Sequence, residues 1–140
     1  MIEWKSQYSV ENQRLDEQHQ KLFELVNEIL EAMKTEKSRD AVFIASVLKQ
    51  LYEYTQYHFR SEENLFVGTG YPFVEEHIQA HRDFTGKVKE MIADQNKIGP
   101  SLNAVRIAQT ANAWITDHVM RFDKGYALYI KTGGKLKINL

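Results

Sequence analysis

The chain has no cysteine, and that absence removes much of metal and redox chemistry. Disulfide frameworks, thiolate zinc sites, iron–sulfur ligation and covalent haem attachment all need thiols. An excess of one charge is missing too. The 18 basic residues are scattered among 19 acidic ones for a net charge of −1, so nothing marks a nucleic-acid surface. No apolar run approaches the length that spans a bilayer, and the opening MIEWKSQYSV lacks the apolar core of a signal peptide. The expectation is a soluble, cytoplasmic protein with no membrane span. What is present is 140 residues, 43% of them hydrophobic, enough for one domain with a full core and no covalent staples.

Proline and glycine are scarce, and their positions punctuate the chain. Pro72 follows Gly68-Thr69-Gly70-Tyr71, Pro100 follows Gly99, and Gly133-Gly134 lies near the C-terminus. A further polar break falls around Thr35–Ser38, with Ser38 a candidate N-cap. These breaks predict helices over 16–34, 39–66, 72–95 and 101–121, between an N-terminal arm (1–15) and a C-terminal segment (122–140). Both prolines suit a first helical turn, where no backbone N–H is missed.

Apolar residues recur at helical spacing in each stretch: Leu22, Phe23, Val26, Leu30 and Met33; then Ile44, Val47, Leu48, Leu51, Phe59 and Leu65. Phe73, Phe84, Val88 and Met91 follow in the third, and Val105, Ala108, Ala111, Ile115 and Phe122 in the fourth. Strand-like alternation and internal repeats are absent. Short connections between long helices favour antiparallel neighbours, so the expected fold is all-α: an up-down-up-down antiparallel four-helix bundle. Gly86, inside the third helix, costs about 1 kcal/mol relative to alanine and is a candidate close contact.

The five histidines, His19, His58, His77, His81 and His118, each continue one of these apolar stripes. One histidine on an apolar face is usually a hydrogen-bonded core residue. Five, with at least one from every helix and none left over, suggest a shared purpose, because each buried imidazole otherwise needs its own partner. His58 and Glu62 are four residues apart, as are His77 and His81, so each pair differs by only about 40° in direction and can reach one ion or two adjacent ones. A metal would also supply the positive charge that makes Glu62 tolerable inside. Glu63, a further ~100° round the helix, points elsewhere, as a surface group or a support behind a ligand. Asp123 follows His118 by five residues, about 140° away on a regular helix, so spacing alone does not bring it to the same metal. Gly125 hints that the helix ends or distorts there.

Five imidazoles and two carboxylates exceed the four ligands zinc usually accepts, and calcium and magnesium prefer oxygen. The protease motif HExxH is absent, since His77-Ile78-Gln79-Ala80-His81 has no glutamate. The Glu-x-x-His pattern of ferritin-like di-iron proteins is absent as well. Two adjacent transition metals, mostly imidazole-bound and bridged by carboxylates, fit best. Iron is the natural suggestion, with manganese and copper open on ligand type.

Taken together, His19 in LDEQHQKLF, His58 and Glu62 in HFRSEE, His77-x3-His81 after GYP, and His118 with Asp123 in WITDHVMRFD resemble the hemerythrins, the single-domain bacterial ones most of all. The resemblance runs from about Trp4 to Tyr129 and departs at Phe66, where the family often has methionine. It implies a non-haem di-iron centre (Fe2+/Fe3+) that binds dioxygen reversibly. His77, His81 and His118 would hold one iron, His19 and His58 the other. Glu62 and Asp123 would bridge them along with an oxide or hydroxide, and the iron with two imidazoles would keep a position open for oxygen.

Leu22, Phe59, Trp114 and Ile115 flank these ligands by position and are candidates for an apolar oxygen pocket, with ordinary core packing as the competing role. Tyr126, three residues after Asp123, is a candidate to hydrogen-bond a bridging carboxylate. The expected function is non-enzymatic: oxygen carriage, storage or delivery, with dioxygen as ligand and an oxygen-consuming enzyme as recipient. Oxygen or redox sensing through a partner is one alternative. A di-iron oxidase, peroxidase or nitric-oxide-handling enzyme is another, disfavoured because oxidative di-iron enzymes tend to be carboxylate-rich.

Overall fold

A computed structural model describes residues 3–133. Asn12 starts the first long helix by accepting the backbone N–H of Leu15, and α1 runs Gln13–Ala32. Asp40 does the same for the second, accepting from Val42 and Phe43, and α2 runs Ala41–Phe66. Helix α3 spans Val74–Ile98. Gly99, at φ +83°, turns the chain into Pro100, the first residue of α4 (Pro100–His118). The chain then passes through a π turn, Val119–Asp123, into α5 (Lys124–Lys131).

Among the described residues there is no strand. Helix α1 packs on α2 and α4, and α3 packs on the same two, which closes an antiparallel four-helix bundle. The core along its axis includes Val26, Ile29, Leu51, Phe84, Val88 and Ile107, all without solvent exposure. Burying a side chain of this size stabilises by about 1.5–3 kcal/mol before chain entropy is charged.

Several expectations are corrected. Ser38 caps nothing, because Glu36–Arg39 form a 3-10 turn and the capping carboxylate is Asp40. Gly86 marks no close contact: an added Cβ there would meet nothing within 4 Å. Met33 and Leu65, placed on core stripes, are exposed at 38% and 41% rather than buried. Pro72 sits in the turn before α3 rather than within it. The last helix does not end near 121 but continues to Lys131, since Gly125 is buried inside α5 instead of capping α4. The end of the C-terminal segment, 134–140, lies outside the described residues.

The N-terminal arm is tied down. Trp4 and Tyr8 pack their rings against Phe23 at 5.7 and 5.2 Å. Asp16 accepts hydrogen bonds from the Val10 N–H (2.9 Å) and the Ser9 hydroxyl (2.6 Å). Lys124 donates to the Gln7 carbonyl at 2.6 Å, and Lys131 pairs with Glu11 at 3.0 Å. A second apolar cluster, Phe66, Tyr71 and Tyr126, closes the bundle beside the arm.

Candidate metal centre

Each long helix delivers its ionisable groups to one level of the bundle: His19 from α1, His58 and Glu62 from α2, His77 and His81 from α3, His118 from α4. All are at most 3% exposed, as is Asp123. The rings fall into a trio and a pair. His77, His81 and His118 have centroids 4.8–4.9 Å apart, while His19 and His58 lie 4.6 Å apart. The two carboxylates lie between them. Asp123 is 2.8 Å from His77 Nε2 and 3.1 Å from His118 Nε2 on one side, and 3.0 Å from His19 Nε2 on the other. Glu62 is 2.5 Å from His58 Nε2 and 3.6 and 3.8 Å from the Nε2 atoms of His77 and His81. The donor atoms thus form two overlapping sets, each within 4.8 Å: Glu62, His77, His81, His118 and Asp123; and His19, His58, Glu62 and Asp123.

Asp123 reaches this level because of the π turn. An i→i+5 hydrogen bond widens the helix by about one residue per turn, so positions five apart share a face. The turn spans the residues between His118 and Asp123 and restores the alignment that a regular α-helix would break.

Electrostatically the cluster is neutralised from within. Among the described residues neither buried carboxylate pairs with lysine or arginine; their close partners are imidazoles. Burial and the Asp123 charge push Glu62 up, but His58 and His77 outweigh them and hold it down at about 2. Burial likewise pushes Asp123 up, and His118, His19 and His77 hold it well below its ordinary value. Burial lowers His77, yet Asp123 and Glu62 raise it to about 9; His19 is raised by the same balance. For His81 burial wins, and its pKa is lowered.

These charges attract, but most are not aligned as hydrogen bonds. Both ring nitrogens of His19 and His77, Nδ1 of His118, Oε1 of Glu62 and both oxygens of Asp123 are buried without a hydrogen-bond partner. Each such atom costs about 1–3 kcal/mol. The opposite end of the bundle is better served: the buried Asn103 amide donates to Met91 O and Gln95 Oε1, Gln95 donates to Ala41 O, and Asn103 Oδ1 alone of this group lacks a partner. Lone pairs left converging at one level are what bound cations satisfy. The imidazole-rich donor set suits transition metals.

Two imidazoles are oriented from behind, one in each set. His58 Nδ1 is 2.7 Å from Gln18 Oε1, and Gln18 Nε2 donates in turn to Ser61 Oγ at 3.3 Å. With its amide held that way, Gln18 accepts the Nδ1–H, which leaves the Nε2 lone pair of His58 facing inward. Glu63 Oε2 lies 3.0 Å from His81 Nδ1 and imposes the same tautomer there. The surface-or-support alternative for Glu63 resolves to support. Gln18 carries no sequence signal beyond adjacency to His19.

The Tyr126 expectation is corrected. Its hydroxyl donates to Leu65 O at 2.8 Å, not to a carboxylate. Leu65 lies in the last turn of α2, where carbonyls lack an intrahelical partner, and the tyrosine satisfies one. Of the expected apolar pocket, Leu22, Phe59 and Ile115 are buried and Trp114 is half-buried. Phe59 stacks on His81 at 4.0 Å and lies 5.9 Å from His58, so it borders both sets, while Trp114 stacks on His118 at 4.3 Å. Phe66, the departure from the family pattern, sets its ring 4.8 Å from His77 and edge-on to Tyr126 at 4.6 Å.

The fold and the cluster define an all-α bundle with two buried, overlapping histidine–carboxylate donor sets, each able to hold a metal ion. Residues 11–129 match the family described as the Hemerythrin HHE cation binding domain. A bacteriohemerythrin of Clostridium acetobutylicum is 32% identical over 90% of this chain and 98% of its own length. A hemerythrin-like protein of Naegleria gruberi is 29% identical over 88% of each chain. A solved crystal structure of a point mutant superposes with a TM-score of 0.78, covering 96% of this chain and 98% of that one at 20% identity, which shows the shared fold. The chain belongs to the hemerythrin family, and its histidine–carboxylate cluster fits a di-iron site.

Proposed function

We propose that this protein binds dioxygen reversibly at a di-iron centre, for carriage, storage or delivery, and is not an enzyme. The observation that carries the reading is the asymmetry of the two donor sets, three imidazoles with two carboxylates against two imidazoles with the same two carboxylates. His77, His81 and His118 would hold one iron and His19 and His58 the other, with Glu62 and Asp123 shared. The irons, when bound, supply reversible electron donation to oxygen. The chain's part is to hold and to exclude. Its shared carboxylates fix the separation of the two sites, and Gln18 and Glu63 orient one imidazole in each. Leu22, Phe59, Trp114 and Ile115 keep the surroundings apolar, which discourages water and the loss of bound oxygen in reduced form. Tyr126 acts on the centre only indirectly, by fixing the end of α2 that carries Glu62. The names of the bacterial relatives agree with this reading. Among the described residues no helix is long and apolar enough to cross a membrane. An oxygen-consuming enzyme in the cytoplasm is the proposed recipient.

Anaerobic reconstitution with ferrous iron, followed by addition and removal of oxygen, tests the proposal by visible absorption. A band that appears with oxygen and disappears on its removal is the expected result. Irreversible conversion to the ferric protein, or catalytic turnover of peroxide or nitric oxide, would favour the enzymatic alternative.

A further inference from the structure

The seven cluster residues are sealed from solvent on nearly every side, which raises the question of how cations reach them. A cleft of about 300 Å³ opens between the N-terminal arm, the end of α2 and α5. Its walls are largely apolar, with Val10, Leu15, Leu65 and Ala127 among them, and Glu62 and Asp123 border it from within. None of the five histidines lines it. The cleft therefore meets the centre at its two shared carboxylates, the groups that attract a cation most strongly. At the mouth, Glu11 and Lys131 form an exposed ion pair at 3.0 Å that ties the arm to α5 across the opening. Glu11 has φ +57°, a left-handed conformation that costs a non-glycine residue roughly 1–2 kcal/mol, so that part of the arm is held against its own preference.

We propose that this cleft is the passage by which divalent cations reach and leave the buried centre, with the Glu11–Lys131 pair as its gate. The inference rests on reading the cluster as a metal centre and assigns the cleft a role which that reading leaves open. Carboxylates at the mouth and the floor draw a hydrated cation inward, and between them the walls are largely apolar, with the Asn12 and Tyr126 oxygens already engaged by the Leu15 N–H and the Leu65 carbonyl. Separation of Glu11 from Lys131 frees the outer carboxylate and removes the side-chain bridge across the opening. The arm's other ties, the Asp16 bonds to Ser9 and Val10, the Lys124 bond to the Gln7 carbonyl and the Asn12 cap of α1, hold its backbone on either side of Glu11, so the moving part is the Glu11 side chain.

Cobalt(II) is a suitable probe, because it absorbs in the visible when bound and air does not oxidise it readily. Metal-free full-length protein is mixed with cobalt(II), and the loading rate, final stoichiometry and later removal by a chelator are followed. Ala127→Trp narrows the cleft and is expected to slow loading and removal alike by about tenfold or more, with the same final stoichiometry, because protein interiors leave little room to bypass a filled passage. Lys131→Gln removes the mouth's positive charge and releases Glu11, and is expected to speed loading severalfold, most at low salt. Leu65→Trp, on the opposite wall at an exposed position, replaces Ala127→Trp should the latter not fold. A parent protein that takes up no cobalt overturns the metal-centre reading and the passage together. Parental loading rates in the tryptophan variants overturn the passage alone.

Discussion

Single residues here are tuned by what lies behind them. In the metal-free chain His77 is raised from 6.5 to about 9 and Glu62 lowered from 4.5 to about 2, and the two shifts bear on stability in opposite pH ranges. His77 binds its proton more tightly folded than unfolded, so its contribution is complete below pH 6.5 and lost as pH rises towards 9. Glu62 contributes above 4.5 and loses that contribution as pH falls towards 2. The melting temperature of the metal-free protein should therefore decline in both windows. Imidazoles must be neutral to bind metal, so loading near pH 7 should release protons, measurable with an indicator dye in weak buffer. Release of no protons would mean that His77 and His19 are already neutral. Gln18→Leu leaves the His58 Nδ1–H buried without an acceptor and should weaken metal affinity by about 10–100-fold in chelator competition. Unchanged affinity would show that His58 needs no such support.

At the level of elements, the decisive one is the π turn, Val119–Asp123. Its extra residue lets α4 present His118 and Asp123 to the same point five residues apart. Insertion of one alanine after Met120, an exposed position, would set Asp123 a further residue from His118 and rotate it away from that face by about 100°. Circular dichroism should still show a helical protein, but metal analysis should find well under two ions per chain. An insertion variant that kept both ions would show that the register of Asp123 set by the π turn is not needed. Helical periodicity in the sequence made the four long helices and six of the seven buried cluster residues legible, because residues four apart on one helix need only that helix to align. It left Asp123 off-face, because no local preference distinguishes a π turn from an α-helix; the cluster around it does.

For the whole molecule, the helices are joined by a polar centre that is poorly satisfied without cations. A ligand that binds only the folded state adds stability with its excess over Kd, about 4 kcal/mol at a thousandfold excess. Chelation should therefore lower the melting temperature strongly, and readdition of iron should restore it. Equal melting with and without metal would contradict a centre that links four helices. The apolar shell has its own test. Ile115 is 1% exposed, and Ile115→Asn should admit water beside the cluster and hasten oxidation of the ferrous protein in air, followed by absorbance. An unchanged rate would return Ile115 to ordinary core packing.

The sequence by itself determined the all-α class, the helix-by-helix supply of five imidazoles and Glu62, and the family, because these depend on spacing within short stretches. Only the tertiary structure decided which groups meet across elements. Gln18 finds His58 40 residues away, Glu63 finds His81 at 18, and Tyr126 turns to the Leu65 carbonyl at 61 rather than to a carboxylate. The cleft at the arm belongs to the same kind of fact, since its walls come from three separate segments. Such pairings are set by packing and by which buried groups must find partners, and periodicity along one helix carries no record of them.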